Sequence, residues 1–218
     1  AFRTVRGEGN QTRAAADYLK QQLVAGGFPA ADIIVEPVDD TAMLIARWRG
    51  SDPKAPAIVI SGHIDVVEAK PADWQRDPFT PVVENGYLYG RGATDMKLDM
   101  ALVVATLIDM KRAGVKPRRD IVLAFSGDEE TTMKTSSILA DRLKGAEMAL
   151  NVDGGGGFYG EDGRPQYFTI GAAEKTYADF QLEVTNPGGH SSAPRHDNAI
   201  VQLSNALAKI GAYRFKPQ

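Results

Sequence analysis

Residues Ala57–Val67 read AIVISGHIDVV, and the change of character midway along them sets the fold class. Ala57–Ser61 is a short, continuous apolar run, the pattern of a strand covered on both faces, and it leads directly into His63 and Asp65. Two later stretches repeat the pattern. Ile121–Ser126 (IVLAFS) leads into Asp128, Glu129 and Glu130, and Met148–Val152 (MALNV) leads into Asp153. Ile33–Val38 and Met43–Trp48 are further short apolar or β-branched runs. Between the strands, Lys97–Ala113 carries Leu98, Ala101, Leu102, Ala105 and Ile108 at helical spacing. With Lys111 and Arg112 at its end and Gly114 as a stop, it reads as a buried helix. Thr12–Ala25, with Ala15, Ala16, Leu19 and Leu23 on one face and Gly26-Gly27 after it, reads as an amphipathic helix; Thr132–Lys144 is a shorter candidate. Buried strands alternating with helices give an α/β domain with a mostly parallel sheet over residues 1–175.

From Tyr177 the pattern changes. Phe180, Leu182 and Val184 alternate with Asp179, Gln181 and Glu183, which predicts a strand with one dry face, and Ile200, Leu203, Leu207 and Ile210 form a helical stripe over Asp197–Gly211. A boundary is placed near Ala173–Thr176. One strand and one helix cannot close a core, so residues 176–218 are expected to be the beginning of a second, incomplete domain.

The 218 residues are 43% hydrophobic and 24% charged, the profile of a chain that buries a core. A net charge of −3 gives no electrostatic footprint for nucleic acid or an anionic membrane. The apolar part of Met100–Ile108 is far short of the ~18–20 residues of a membrane span. With no Cys, thiolate catalysis and sulfur-ligated zinc are excluded, and any metal must be held by carboxylates and by His63, His190 or His196. Starting at Ala1 without an apolar leader fits an exported, processed chain or a trimmed one, so the compartment stays open.

In open α/β sheets, ligands bind beyond the carboxyl ends of the strands, where His63, Asp65, Glu129, Glu130 and Asp153 fall, with Asp95 (GRGATDMK) just before the long helix. So many carboxylates at one edge repel one another unless cations intervene. A pair of zinc ions accounts for the set. If Asp95 bridges, one ion takes His63, Asp95, Asp153 and a shared water; the other takes Asp95, Glu130 and that water and is one ligand short. Asp65, two residues from His63, suits a partner for the second imidazole nitrogen, and Glu129 is left as a general base over the water. Cobalt or manganese would also suit His-and-carboxylate donors.

Simpler readings of the same residues exist. Asp95 could only cap the helix, Glu129-Glu130 could be a solvated turn, and Asp153 before four glycines could be a flexible turn. Gly155, Gly157 and Gly160 satisfy G-x-G-x-x-G, but the β-like Tyr167–Ile170 follows rather than a helix to hold a pyrophosphate. His190 could be a polar turn residue and His196 a first-turn or solvent-facing one, while Trp74 and Phe79 read as packing.

Taken in order, SGHIDVV, GRGATDMK, SGDEE, NVDGG and PGGHSS resemble the zinc-dependent carboxypeptidase, aminoacylase and succinyl-diaminopimelate desuccinylase superfamily over Ser61–Ser192. The resemblance implies His63, Asp95 and Asp153 on one zinc, Asp95 and Glu130 on the other, Glu129 as base and Asp65 as the group that orients His63. It also implies a last His ligand further along the sequence and a cis peptide after Asp95. The lid domain that commonly mediates homodimerisation would begin here, its His190 stabilising the oxyanion in a neighbouring active site. Leu98 departs from the glycine of many relatives and is read as serving the buried helix face. The implied substrates are peptides, cleaved by a carboxypeptidase or dipeptidase, or N-acyl amino acids, cleaved by a deacylase. If the 218 residues stand alone, a non-catalytic metal-binding fragment is the remaining alternative.

Overall fold

The structure is a computed structural model that describes residues 2–174, 177–193, 195 and 197–216. Contacts divide the chain into two units, Ala1–Ile170 and Gly171–Gln218. The boundary read near 173–176 and the His196 assignment fall wholly or partly on residues outside the described set.

The first unit is built on a five-stranded sheet. Strands β1 (Ile33–Val38), β2 (Thr41–Trp48), β3 (Ile58–His63), β6 (Ile121–Ser126) and β7 (Met148–Asn151) are arranged in the order β1-β2-β6-β3-β7. β3 pairs in parallel with β6 and β7, whereas β2 runs antiparallel to β1 and β6, so four of the five strands point the same way. Two hairpins stand outside the sheet: β4 (Val82–Glu84) with β5 (Tyr87–Tyr89), and β8 (Gly156–Tyr159) with β9 (Pro165–Thr169). The first turns on Asn85-Gly86, both at positive φ (52° and 83°), as a tight two-residue hairpin requires. Of the glycines of the G-x-G-x-x-G pattern, Gly157 lies in β8 and Gly155 and Gly160 flank that strand, and β9 rather than a helix follows them.

Alternate side chains of the central strands enter two separate cores. Leu44, Ala46, Leu123 and Phe125 meet Ala15, Ala16, Leu19 and Leu23 of α1 (Thr12–Ala25) and Met100, Val104, Leu107 and Ile108 of α2 (Leu98–Arg112). Met43, Val59, Val122 and Ala124 face Leu139 of α3 (Lys134–Arg142) on the other side. Helices on both faces explain why β2 and β6 are apolar at consecutive positions instead of alternating.

The structure corrects three expectations. α2 is not buried all round: its core stripe is Met100, Val104, Leu107 and Ile108, while Leu98 and Leu102 are about half exposed (46% and 55%) and Ala101 and Ala105 are exposed too. The helix is apolar on two faces, so spacing alone defines two overlapping stripes, and the line of the helix across the sheet selects one. β7 is an edge strand, exposed along its length, because only β3 pairs with it. In the second unit, residues 177–190 form no strand. The alternation over Phe180–Val184 finds no partner edge among the described residues, and an unpaired strand leaves its backbone groups without a ladder. That unit's helix, α4 (Ala199–Ala212), is capped by Asn198, whose side chain accepts from the N–H groups of Ile200 and Val201.

Two glycines let the chain reach the carboxyl edge of the sheet. A Cβ on Gly127 would sit 2.1 Å from the Ala42 carbonyl oxygen, and one on Gly62 would sit 2.5 Å from Cε of Met96. The Gly127 clash is with backbone, which cannot swing aside. Gly127→Ala is therefore expected to lower stability by about 1–3 kcal/mol in urea unfolding. Gly145→Ala, with open space around it, should stay within about 0.5 kcal/mol of the parent.

Candidate metal centre

β3 delivers His63 to the carboxyl edge of the sheet almost fully buried (1% exposed). Its backbone N–H donates to Sδ of the buried Met96 (3.0 Å), and its Nδ1–H donates to the carbonyl oxygen of Asp65 (3.0 Å), with the Asp65 carboxylate 3.5 Å away. A carbonyl only accepts, so the proton sits on Nδ1, and Nε2 faces Asp95 Oδ1 at 3.0 Å and Asp153 Oδ2 at 3.5 Å. Asp95 lies in the wide turn Ala93–Lys97, where the Asp95–Met96 peptide is cis, as the resemblance implied. No side chain caps α2, so Asp95 does not act as its N-cap.

The SGDEE segment divides its work. Asp128, 5% exposed, accepts from the N–H groups of Lys134 (2.8 Å) and Thr135 (2.9 Å) and from the hydroxyls of Thr132 and Thr135, so it closes the open N-terminus of α3. Burial raises its pKa, but these hydrogen bonds outweigh burial and hold the carboxyl below its ordinary value. Asp65 accepts from the backbone N–H groups of Glu129 (3.1 Å) and Glu130 (3.0 Å), fixing the turn that carries both side chains. Asp65 therefore holds His63 through both its backbone carbonyl and its carboxylate, and the acidic turn through that same carboxylate.

The electrostatics of the cluster are unbalanced. Burial raises the pKa of Glu129, as do the charges of Asp153, Asp65 and Asp95, with His63 opposing. Glu130 is raised by burial and by Asp95, and Asp153 by burial and by Asp95 and Asp99, again against His63. Burial opposes protonation of His63, but the Asp65 carboxylate, as hydrogen-bond acceptor and as charge, and the charges of Asp153 and Glu129 push its pKa up to about 9. Something positive must sit at Nε2. A divalent cation fits: one donor atom each from His63, Asp95 and Glu130 lies within 4.8 Å of the others, and nitrogen and carboxylate oxygen are donors that zinc takes.

The structure thus brings His63, Asp65, Asp95, Glu129, Glu130 and Asp153 to one edge of the sheet. His190 belongs to the second unit, exposed, its Nδ1 accepting from the Ser192 N–H (3.2 Å) and in contact with the Ser192 hydroxyl (2.7 Å). Sequence reading gave no role to Met96, which backs His63, or to Asp128. Their signals were an apolar residue inside a polar loop, and an acidic residue followed by Thr132, Lys134 and Thr135.

The profile of peptidase family M20/M25/M40 matches residues 59–215. The chain belongs to this family. Among curated relatives, a probable carboxypeptidase S-like protein of Dictyostelium discoideum is 31% identical over 180 residues, covering 77% of this chain and 34% of the relative. The N-fatty-acyl-amino acid synthase/hydrolase of Mus musculus is 33% identical over 171 residues, covering 74% of this chain and 33% of the relative. The chain thus spans about a third of the length of these M20 relatives. In fold, it resembles the M20 family metallo-carboxypeptidase of Sulfolobus solfataricus, with a TM-score of 0.58 and 23% identity over 75% of this chain and 36% of the other.

Zinc at about a hundred times its Kd is expected to stabilise the protein by about 2.7 kcal/mol, read as a raised unfolding midpoint. Asp95→Asn should remove most of that gain, while Asp99→Asn keeps it.

Proposed function

We propose that this M20 chain forms part of the active site of a metal-dependent hydrolase that cleaves an amide bond, with a carboxypeptidase or dipeptidase as the leading reading. The observation that carries it is the buried His63 Nε2 facing the carboxylates of Asp95 and Asp153, with Glu130 within reach of the same point. His63, Asp95 and Asp153 would hold one divalent ion, and Asp95 and Glu130 a second. When bound, such ions polarise a carbonyl and make water acidic enough to deprotonate near neutral pH.

The chain's own groups do the rest. Glu129 is the proton acceptor: its neighbour Glu130 turns toward His63 and Asp95, the backbone of both is pinned by Asp65, and burial keeps the Glu129 carboxylate more basic than one in water. It takes a proton from the attacking water and delivers it to the leaving amine. His63 is held in one tautomer by the Asp65 carbonyl, so its Nε2 stays a ligand. The zinc reading follows from the His-and-carboxylate donors, for which cobalt or manganese are substitutes.

A second reading, an N-acyl amino acid hydrolase, is favoured by the 33% identity to the N-fatty-acyl-amino acid synthase/hydrolase. It uses the same metals and base with a different acyl pocket. Residues 176–218 are proposed to begin a lid through which two copies pair, His190 then serving the neighbouring copy's site. A dimer mass in solution supports this, and a monomer at every concentration rejects it.

Glu129→Gln is the decisive variant. With both substrate types assayed, hydrolysis should fall by about 10²–10⁴-fold while metal content stays at the parent level. Undiminished turnover by a metal-loaded Glu129→Gln protein would remove Glu129 as the base.

A further inference from the structure

Asp95, the carboxylate proposed to serve both ions, has little of its own to hold it. Its side chain is 54% exposed, and the one polar atom within hydrogen-bond distance of it among the described residues is His63 Nε2, which carries no proton to donate. The place of this carboxylate is therefore set by the backbone of its loop.

That loop is anchored at three places. At its entry the Arg91 N–H donates to the Pro78 carbonyl (2.7 Å) and the guanidinium lies over Trp74, although the buried Arg91 Nε has no partner. Next to Asp95, Met96 accepts from the His63 N–H. Beyond it, the Lys97 N–H closes the turn on the Gly92 carbonyl (2.9 Å), and the Lys97 ammonium crosses to the Phe2 carbonyl (2.9 Å). Among the described residues, this ammonium is the only side-chain hydrogen-bond donor of residues 90–97 that reaches another segment.

Phe2 belongs to an arm that is locked to the other side of the site. Thr4, fully buried, donates its hydroxyl to the Ile64 carbonyl (2.8 Å), and its own carbonyl accepts from the Val66 N–H (3.1 Å). The arm thus brackets Asp65, whose carbonyl fixes the His63 ring and whose charge acts on the Lys97 ammonium. Gly92, at φ 84°, makes room for the approach: a Cβ there would sit 2.7 Å from Val66 Cγ1 and 3.3 Å from Lys97 Cδ. Burial opposes a charge at Lys97, and a methionine would fill the same space without that penalty. What a methionine lacks is a charged donor, which makes a hydrogen bond roughly twice as strong as a neutral one.

We infer that Lys97 is a positioning residue for Asp95. Its ammonium clasps the Asp95 loop to the arm Phe2–Thr4, the arm holds the turn after His63, and together they fix how far His63 Nε2 stands from Asp95 Oδ1. The inference rests on the metal reading of the site given above.

Zinc calorimetry and the visible absorption spectrum of the cobalt-loaded 218-residue chain test the clasp. In Lys97→Met, which keeps the stem and removes the donor, zinc affinity should fall about 10–100-fold. The cobalt spectrum should change as well, because a displaced Asp95 alters the coordination, whereas a loss of stability alone lowers the unfolding midpoint and leaves the spectrum as in the parent. A chain beginning at Thr4 lacks the Phe2 carbonyl and should lose a similar factor. Adding Lys97→Met to it should weaken zinc by no more than about threefold further, since both changes break one contact. Full additivity of the two losses overturns the route through Phe2. An unchanged zinc affinity or cobalt spectrum in Lys97→Met overturns the positioning role while the metal reading stands, and a parent chain that takes up no metal removes that reading and the inference with it. Should Lys97→Met fail to fold, the chain beginning at Thr4 decides: parental zinc affinity there overturns the clasp.

Discussion

Five carboxylates gather around one buried imidazole, and most of what surrounds them is arranged so that they can. Asp65, Asp95, Glu129, Glu130 and Asp153 come from four separate loops, and burial, with their mutual repulsion added to it, raises the pKa values of Glu129, Glu130 and Asp153 together. His63 alone cannot neutralise them. Its Nε2 is the point on which Asp95 and Asp153 converge, so whichever positive species occupies that point, proton or divalent ion, holds the edge of the sheet together. Charges this close in a partly desolvated cleft interact far more strongly than on an open surface.

The scaffold answers this demand with small residues and local anchors. Gly62 leaves room for Met96, and Met96 in turn accepts from the His63 backbone, so the loop bearing Asp95 is packed against the strand bearing His63. Gly127 slips past the Ala42 carbonyl at the end of β6, and the next residue, Asp128, gathers the first turn of α3 onto its carboxylate. Only after these constraints are met do Glu129 and Glu130 emerge at the cleft, their N–H groups held by Asp65. Of the three acids in that short run, Asp128 closes the start of α3, while Glu129 and Glu130 are left facing the cleft.

Much of this was readable in the residue order. α1 and β6 lie where apolar spacing and glycine stops put them, and the placement of ligands beyond parallel strands picked out His63, Glu130 and Asp153 before any coordinates. The core face of α2 was not readable: LDMALVVATLIDMKR offers two apolar stripes, and the one through Leu98 and Leu102 faces outward. Nor was the fate of Phe180–Val184, because alternation records a tendency to pair and contains no information about whether an edge is there to pair with.

The sequence by itself determined the layer type, the five strands of the main sheet and the helices packed on it, the absence of cysteine from these residues and the identity of the acids at the sheet's edge, because these depend on local periodicity and on which residue types occur. The tertiary structure alone decided which nitrogen of His63 is free, that the Asp65 carbonyl rather than its carboxylate makes the closer contact to the ring, that Asp128 belongs to α3, and that a buried Arg91 N–H lacks a partner. Each of these is a distance between residues far apart in the chain or an orientation within a turn, and neither is encoded in spacing; they are fixed only when the sheet brings its loops to one edge and sterics leave one arrangement open.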